Sequence, residues 1–226
     1  MAAKSQERME ALLPDALGLI TFALQPSAPA NLRTEALACF TTWAFYAQRV
    51  WSEEPQYLEG LRSLLTSILE LSTGRDIDAD IAVGHMADLL ANFGLFFKPE
   101  HLAAASNVLR SDWGKAHMAS FMDNDPSAES FVRLLLAFGD VAVRDLILKS
   151  HDSACQEIMT MMHQLLKYDG YAVADDTLIS EAVQFWATYV EDAVEKRDEA
   201  VTSESEWLPT AKQHVSQMVE ELWFKL

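Results

Sequence analysis

Apolar residues recur every three or four positions along almost the whole chain, and this spacing constrains the fold more than any other feature. Three of the stripes are Tyr57, Leu58, Leu61, Leu64, Leu65, Ile68 and Leu69; Phe131, Leu134, Leu135, Phe138, Val141 and Ala142; and Trp207, Leu208, Ala211, Val215, Met218, Val219 and Leu222. Such spacing places apolar side chains on one face of a helix, whereas no segment shows a sustained strand alternation. The 8 glycines and 7 prolines in 226 residues are also too few for a turn-rich β protein. The sequence predicts an all-α fold.

Short polar or proline-containing links divide this pattern into about nine helices of roughly 15 to 25 residues. The links lie at residues 25–29, 52–55, 72–75, 97–99, 124–126, 150–153, 169–175 and 202–206. Taken in antiparallel pairs, the helices repeat every ~40 to 47 residues, which is the range of HEAT and armadillo units. We therefore predict an α-α superhelix, a HEAT-repeat solenoid of four to five antiparallel pairs, with residues 1–226 forming a single block.

One predicted helix is apolar on more than one face and should be packed on at least two sides. Its apolar residues are Leu178, Ile179, Ala182, Val183, Phe185, Trp186, Tyr189, Val190 and Ala193. A solenoid packs its inner helices in this way, and so does a closed bundle around one central helix. The chain is apolar up to its last residues, 222–226, whereas a free-standing solenoid usually ends in a polar capping repeat. We therefore expect this chain to be one block of a longer solenoid. We expect Trp43, Phe138, Phe185, Trp186 and Tyr189 in the core, together with the tryptophans Trp51 and Trp223.

The charge balance narrows the classes of partner. The chain carries 34 acidic and 17 basic residues, a formal net charge of −17, which disfavours nucleic acid and anionic membrane surfaces as partners. A strongly acidic surface instead attracts proteins with a basic surface. The alternative interpretation is that the net negative charge only keeps the chain soluble. The apolar stretches are shorter than the ~20 residues that span a bilayer, and no signal-peptide pattern opens the chain. Two distant cysteines, Cys39 and Cys155, favour an intracellular compartment and buried free thiols.

A search for catalytic or cofactor-binding patterns finds none. The six histidines are scattered without the His-Glu-x-x-His zinc pattern, neither cysteine has a second one at ligand spacing, and no glycine-rich phosphate loop occurs. We predict a non-catalytic protein without a metal or cofactor. A helical enzyme remains an alternative that requires titratable side chains to converge in one pocket.

The acidic C-terminal quarter carries the candidate binding site. Residues 170–226 contain twelve acids and four bases, and five of these acids lie at the end of one predicted helix. The candidate protein-binding residues are Glu191, Asp192, Glu195, Asp198, Glu199, Asp175 and Asp176. Acids at a helix C-terminus oppose the helix dipole and one another, a local cost that a basic partner would offset. A solvated helix end that runs into a polar link is the alternative interpretation.

Residues 170–176, Gly-Tyr-Ala-Val-Ala-Asp-Asp, and residues 185–192, Phe-Trp-Ala-Thr-Tyr-Val-Glu-Asp, resemble a known family. They are similar to the Gly-His-Tyr-Pro-Val-Asp-Glu and Phe-Trp-Tyr-x-Leu-x-Asp-Asp stretches of the importin-13 and transportin-like branch of the importin-β superfamily, and differ at Ala172 and Ala174. Residues 35–43, 131–145 and 207–226 resemble further helices of these karyopherins in the same order.

The resemblance implies an internal block of four to five HEAT repeats from a nuclear transport receptor that shuttles between cytoplasm and nucleus. Family members wrap protein cargo, bind the small GTPase Ran with GTP mainly through N-terminal repeats, and contact phenylalanine-glycine repeats of nucleoporins. Residues 33–46, 78–92, 129–144 and 177–198 would then be the inner helices, and the acidic residues would meet basic cargo. An unrelated HEAT or armadillo-type assembly scaffold, or a regulatory subunit, is the alternative.

Overall fold

A computed structural model describes residues 2–50, 55–72, 77–168, 177–199 and 206–223. Within these ranges the secondary structure consists of helices and no strand is present. The α-helices are α1 (Ala2–Ala23), α2 (Ala30–Val50), α3 (Pro55–Arg62), α4 (Leu65–Ser72), α5 (Ile77–Phe93), α6 (Pro99–Arg110), α7 (Asp112–Met122), α8 (Glu129–Leu148), α9 (Ser153–Lys167), α10 (Thr177–Glu199) and α11 (Leu208–Trp223). The all-α prediction is confirmed, and none of the described helices is long and apolar enough to cross a membrane.

Two of the predicted helices are each broken in two, which gives eleven α-helices in the described ranges instead of about nine. The first break separates α3 from α4 at Ser63, whose hydroxyl donates to the Gly60 carbonyl. The second separates α6 from α7 at Ser111, whose hydroxyl oxygen accepts a hydrogen bond from the Gly114 backbone N–H. Serine in this position satisfies a free amide at a helix start, so α7 begins as a new helix.

The chain divides into two compact units, residues 1–104 and residues 105–226. In the second unit α8 packs on α10, α9 packs on α11, and neighbouring helices contact each other along the chain. Gly139 of α8 lies against Phe185 of α10, and Arg144, one turn later, pairs with Asp192. Because positions advance together on both helices, α8 and α10 are parallel. This is the packing of stacked helix hairpins, as in HEAT repeats.

The first unit repeats this arrangement. Thr41 Oγ1 of α2 lies 2.9 Å from His85 Nδ1 of α5, and the Phe45 and Phe93 rings lie 4.7 Å apart. These contacts again advance together, so α2 and α5 are parallel neighbours. The bent pair α3 and α4 packs on α2 and α5, respectively. The four helices that stack in parallel within the units, α2 and α5 and then α8 and α10, correspond to the four predicted inner helices.

Burial follows the predicted apolar stripes in most places. Phe138, Phe185, Trp186 and Tyr189 are buried, and α10 contacts α8, α9 and α11, as its apolar faces predict. Trp43 is only partly buried, with its ring edge-on to Tyr46.

Three expectations of burial are wrong. Trp223 is 74% exposed at the end of α11. Cys39 is exposed because Leu37 and Phe40 occupy the buried face of α2, and Cys155 is half-buried. Trp51 lies outside the described residues.

Gly139 allows the close approach of α8 to α9 and α10. A Cβ at this position would lie 3.0 Å from a ring carbon of Phe185 and nearer still to the Met162 methyl group. By contrast, a Cβ at Gly18 on α1 would meet nothing within 4 Å. The two glycines therefore form a matched pair of helical sites, one packed and one open.

We expect Gly139→Leu to lower the free energy of unfolding by about 1–3 kcal/mol relative to Gly18→Leu, because added methylene groups force packed side chains out of their rotamers. Urea denaturation of both variants measures this difference. Equal stability of the two variants would contradict the close packing at Gly139.

Candidate protein-binding surface

The C-terminal half of α10 separates buried aromatic residues from exposed acids. Phe185, Trp186 and Tyr189 are at most 1% exposed, whereas Glu191 and Glu195 are exposed. Residues four apart lie on the same side of a helix, so Glu191 and Glu195 form one acidic edge that faces solvent. Val194, beside them, is 44% exposed.

The other predicted acids do not all join this edge. Asp192 is half-buried and its carboxylate lies 3.5 Å from Arg144 Nε of α8, so this residue takes part in the packing of α8 and α10. The side chains of Asp198 and Glu199 lie outside what the structure describes, and so do residues Asp175 and Asp176. The last turn of α10 also carries Lys196 and Arg197, so the helix end is mixed in charge.

A second pair of acids lies toward the start of α10, where Asp140 of α8 is near Glu181. Partial burial raises the pKa of the Asp140 carboxyl, and the negative charge of Glu181 on α10 acts in the same direction. A like charge held near a carboxyl disfavours its ionised form. A positively charged partner would relieve the repulsion between Asp140 and Glu181. The surface around these two acids is therefore suited to basic groups.

A groove between α10 and α11 lies next to the acidic edge and has a volume of about 340 Å³. Its apolar lining comes from Val190, Ala193 and Val194 of α10 and from Trp207, Leu208, Ala211 and Val215 of α11. Arg197, Lys212 and Ser216 contribute the polar part of the lining. The buried Ser150 hydroxyl donates to the Trp207 carbonyl and so fixes the entry to α11. The groove suits an apolar side chain rather than a charged one.

Apolar spacing alone does not predict this groove. The apolar lining residues of α11 belong to the stripe that begins at Trp207, and such a stripe by itself predicts only a core-facing helix. The available signal was Val194, an apolar residue among the acids at the end of α10. Recognising it would have required knowing that α10 and α11 diverge enough there to leave space.

Among the described side chains, no three His, Cys, Asp or Glu residues converge as metal ligands do. Glu191 and Glu195 lie on an open helix edge, where a protein partner can reach both carboxylates.

Comparison with known proteins supplies one relevant relative. No protein-family model matches the chain. The importin beta-like protein kap111 of Schizosaccharomyces pombe is 24% identical over 200 residues, which cover 85% of this chain and 19% of that protein. The chain thus spans about a fifth of the length of the curated relative it matches. The similarity supports a relationship to importin β-like proteins.

Proposed function

We propose that this chain is a segment of a nuclear transport receptor, a non-catalytic scaffold that binds protein cargo with a basic surface. The observation that carries the proposal is the similarity to an importin beta-like protein over 200 residues, found in a chain whose helices stack as HEAT-type hairpins within each unit. The buried Phe185 and Trp186 belong to the motif that favours the importin-13 and transportin-like branch. A shuttling receptor would be found in both cytoplasm and nucleus.

The acidic edge of α10 is the proposed cargo contact. Glu191 and Glu195 are exposed on the same side of the helix, and Asp140 of α8 and Glu181 form a further acidic pair toward the start of α10. Electrostatic complementarity of this kind mainly raises association rates and selects against acidic partners. The proposal therefore predicts binding that weakens with salt.

Reversing the charge of the acidic edge tests the cargo contact. We expect Glu191→Lys with Glu195→Lys to weaken binding of a lysine- and arginine-rich probe peptide about fivefold at low salt, since each exposed charge contributes less than ~1 kcal/mol. Asp123→Lys with Glu220→Lys changes net charge equally at exposed sites away from α10. Fluorescence anisotropy titrations measure both; equal losses in the two double variants would mean that only net charge matters.

The α10–α11 groove is the proposed site for a phenylalanine side chain of nucleoporin repeats. Its lining is mainly apolar, it is open at the surface, and Val194 contributes an exposed edge. An aromatic ring seated there would bury apolar area on both partners. This contact also separates the transport receptor from the alternative, an unrelated HEAT or armadillo-type scaffold, which has no reason to bind such repeats.

We expect Val194→Asp to weaken binding of a phenylalanine-glycine repeat peptide at least about tenfold, because the new carboxylate would be desolvated by the ligand. The control is Val219→Asp, the same change at an exposed position of α11 that does not line the groove. Nuclear magnetic resonance titration with the peptide measures both. If the unmodified chain does not bind the peptide while it binds the basic probe, the scaffold alternative replaces the receptor.

Ran binding is a further part of the proposal and needs its own measurement. GTP-loaded Ran is added to the chain that holds the basic probe. Release of the probe supports exchange of cargo for Ran, and unchanged binding removes Ran from the partners of this segment.

A further inference from the structure

The polar cluster at the centre of α9, α10 and α11 is not used by the proposed contacts. It consists of His163 of α9, Trp186 and Tyr189 of α10, and His214 of α11. The His163 ring lies 4.3 Å from the Trp186 ring and 6.0 Å from the His214 ring, centroid to centroid. Tyr189 Oη and His214 Nδ1 are 3.1 Å apart and share a hydrogen bond. Each of the three helices thus contributes at least one ring.

Both histidines are buried, with exposed fractions of 8% for His163 and 7% for His214. Within the described part of the chain, neither ring nitrogen of His163 has a hydrogen-bond partner. Nε1 of Trp186 also has none there. A neutral imidazole leaves one N–H group and one acceptor nitrogen without partners in such a site, which costs some stability. An imidazolium carries two N–H groups and a charge, and both N–H groups need partners. Protonation of His163 is therefore incompatible with its present packing.

The charges around the cluster do not remove this conflict. Lys167 of α9 and Glu221 of α11 form an ion pair at 3.1 Å. The negative charge of Glu221 favours a proton on His163, and the positive charge of Lys167 disfavours it, so the two effects oppose each other. His214 itself disfavours a second positive charge on His163. Cys155 of α9 acts electrostatically on Tyr189. Burial is the largest influence on His163, and it lowers the pKa of this imidazole to about 4; burial also lowers the pKa of His214.

We propose that the cluster is a proton-sensitive latch, which holds α11 on α9 and α10 while His163 and His214 are neutral and releases α11 when they gain protons. Release exposes both imidazoles to water, where each N–H finds a partner. Since α11 also forms one wall of the α10–α11 groove, mild acid raises the population of molecules in which that groove is open. The latch depends only on the packing of the three helices and holds whether or not the chain serves in transport.

Hydrogen exchange of the whole chain tests the latch. Between pH 7.5 and 5.0, after correction for intrinsic exchange rates, we expect the protection of α11 amides to fall about 30-fold through His163 alone. At pH 5.0 the exchange of α11 amides should depend only weakly on low concentrations of urea, as for a local opening, whereas the exchange of α8 amides should show the urea dependence of global unfolding. His163→Phe keeps an apolar ring beside Trp186 and should reduce the fall in α11 to a few fold. His151→Gln, at an exposed histidine, should behave as the unmodified chain.

Two results would overturn the latch. One is an equal pH dependence of α11 exchange with and without His163. The other is an equal urea dependence of exchange in α8 and α11, which would mean that α11 opens only when the whole unit unfolds. Titration of the imidazole resonances in the unmodified chain is independent of any variant: ordinary pKa values near 6.5 for both His163 and His214 would also exclude the proposal, whereas depressed values support it.

Discussion

Trp186→Ala should lower the free energy of unfolding by about 3–5 kcal/mol, the range for deleting a buried aromatic side chain. The Trp186 side chain is 1% exposed and packs against His163, Phe185 and Tyr189. Its Nε1 has no hydrogen-bond partner among the described residues, so the loss comes from packing and not from a broken hydrogen bond. Because domains are stable by only about 5–15 kcal/mol, this is a large fraction of the total.

Trp223→Ala is the matched control, because it makes the same chemical change where the ring is 74% exposed. We expect its effect to stay within about 0.5 kcal/mol. Urea denaturation followed by circular dichroism gives both values, with comparable slopes against denaturant. Should the two substitutions cost the same, α10 would not occupy the centre of its unit. If Trp186→Ala prevents folding, Trp186→Phe is the milder variant, and it should still cost more than Trp223→Ala.

The positions of the helices could be predicted because the sequence marks most of their ends locally. Asp125 accepts from the Ser127 N–H with Pro126 between them, and this turn leads into α8 directly after the predicted link at residues 124–126. Proline also stands at the first position of α6, where its missing N–H has no helical role.

The two helix breaks could not be predicted from apolar spacing. Leu61, Leu64 and Leu65 are all buried, so the stripe continues across the break between α3 and α4. A bent helix and a straight one therefore present the same pattern. At Ser111 a local signal does exist, since serine is a preferred capping residue and the acidic Asp112 follows it in the first turn, but the apolar pattern around it favours one continuous helix.

The candidate site was predictable in its charge and not in its geometry. The sequence places Glu191, Asp192 and Glu195 together, but only the structure shows that Asp192 turns to Arg144, a residue 48 positions earlier. The contact of His163 with His214 likewise depends on how α9 and α11 stack. Local spacing carries no information about such pairs, because tertiary packing brings together residues from different helices.

Acid should destabilise the chain well above the pH at which carboxylates titrate. The pKa of His163 is about 4 in the folded chain and 6.5 in the unfolded chain. Above pH 6.5 both forms are neutral and the full stability is present. Between pH 6.5 and 4 the unfolded chain binds a proton that the folded chain does not, so stability falls as pH falls. For His163 alone, this loss is about 2 kcal/mol between pH 7 and pH 5.

The measurement compares urea denaturation of the unmodified chain and of His163→Phe at pH 7, 6 and 5. We expect the unmodified chain to lose about 2 kcal/mol more than the variant over this range. Other groups do not produce this difference: the carboxyls of Glu59, Asp125 and Glu157 have lowered pKa values, so their effect begins only below about pH 4.5. His85 and His101, whose pKa values burial also lowers, are present in both proteins and cancel. Stability curves that run parallel for the two proteins would contradict this prediction. They would mean that His163 gains a proton as easily in the folded chain as in the unfolded chain, despite its burial beside Trp186.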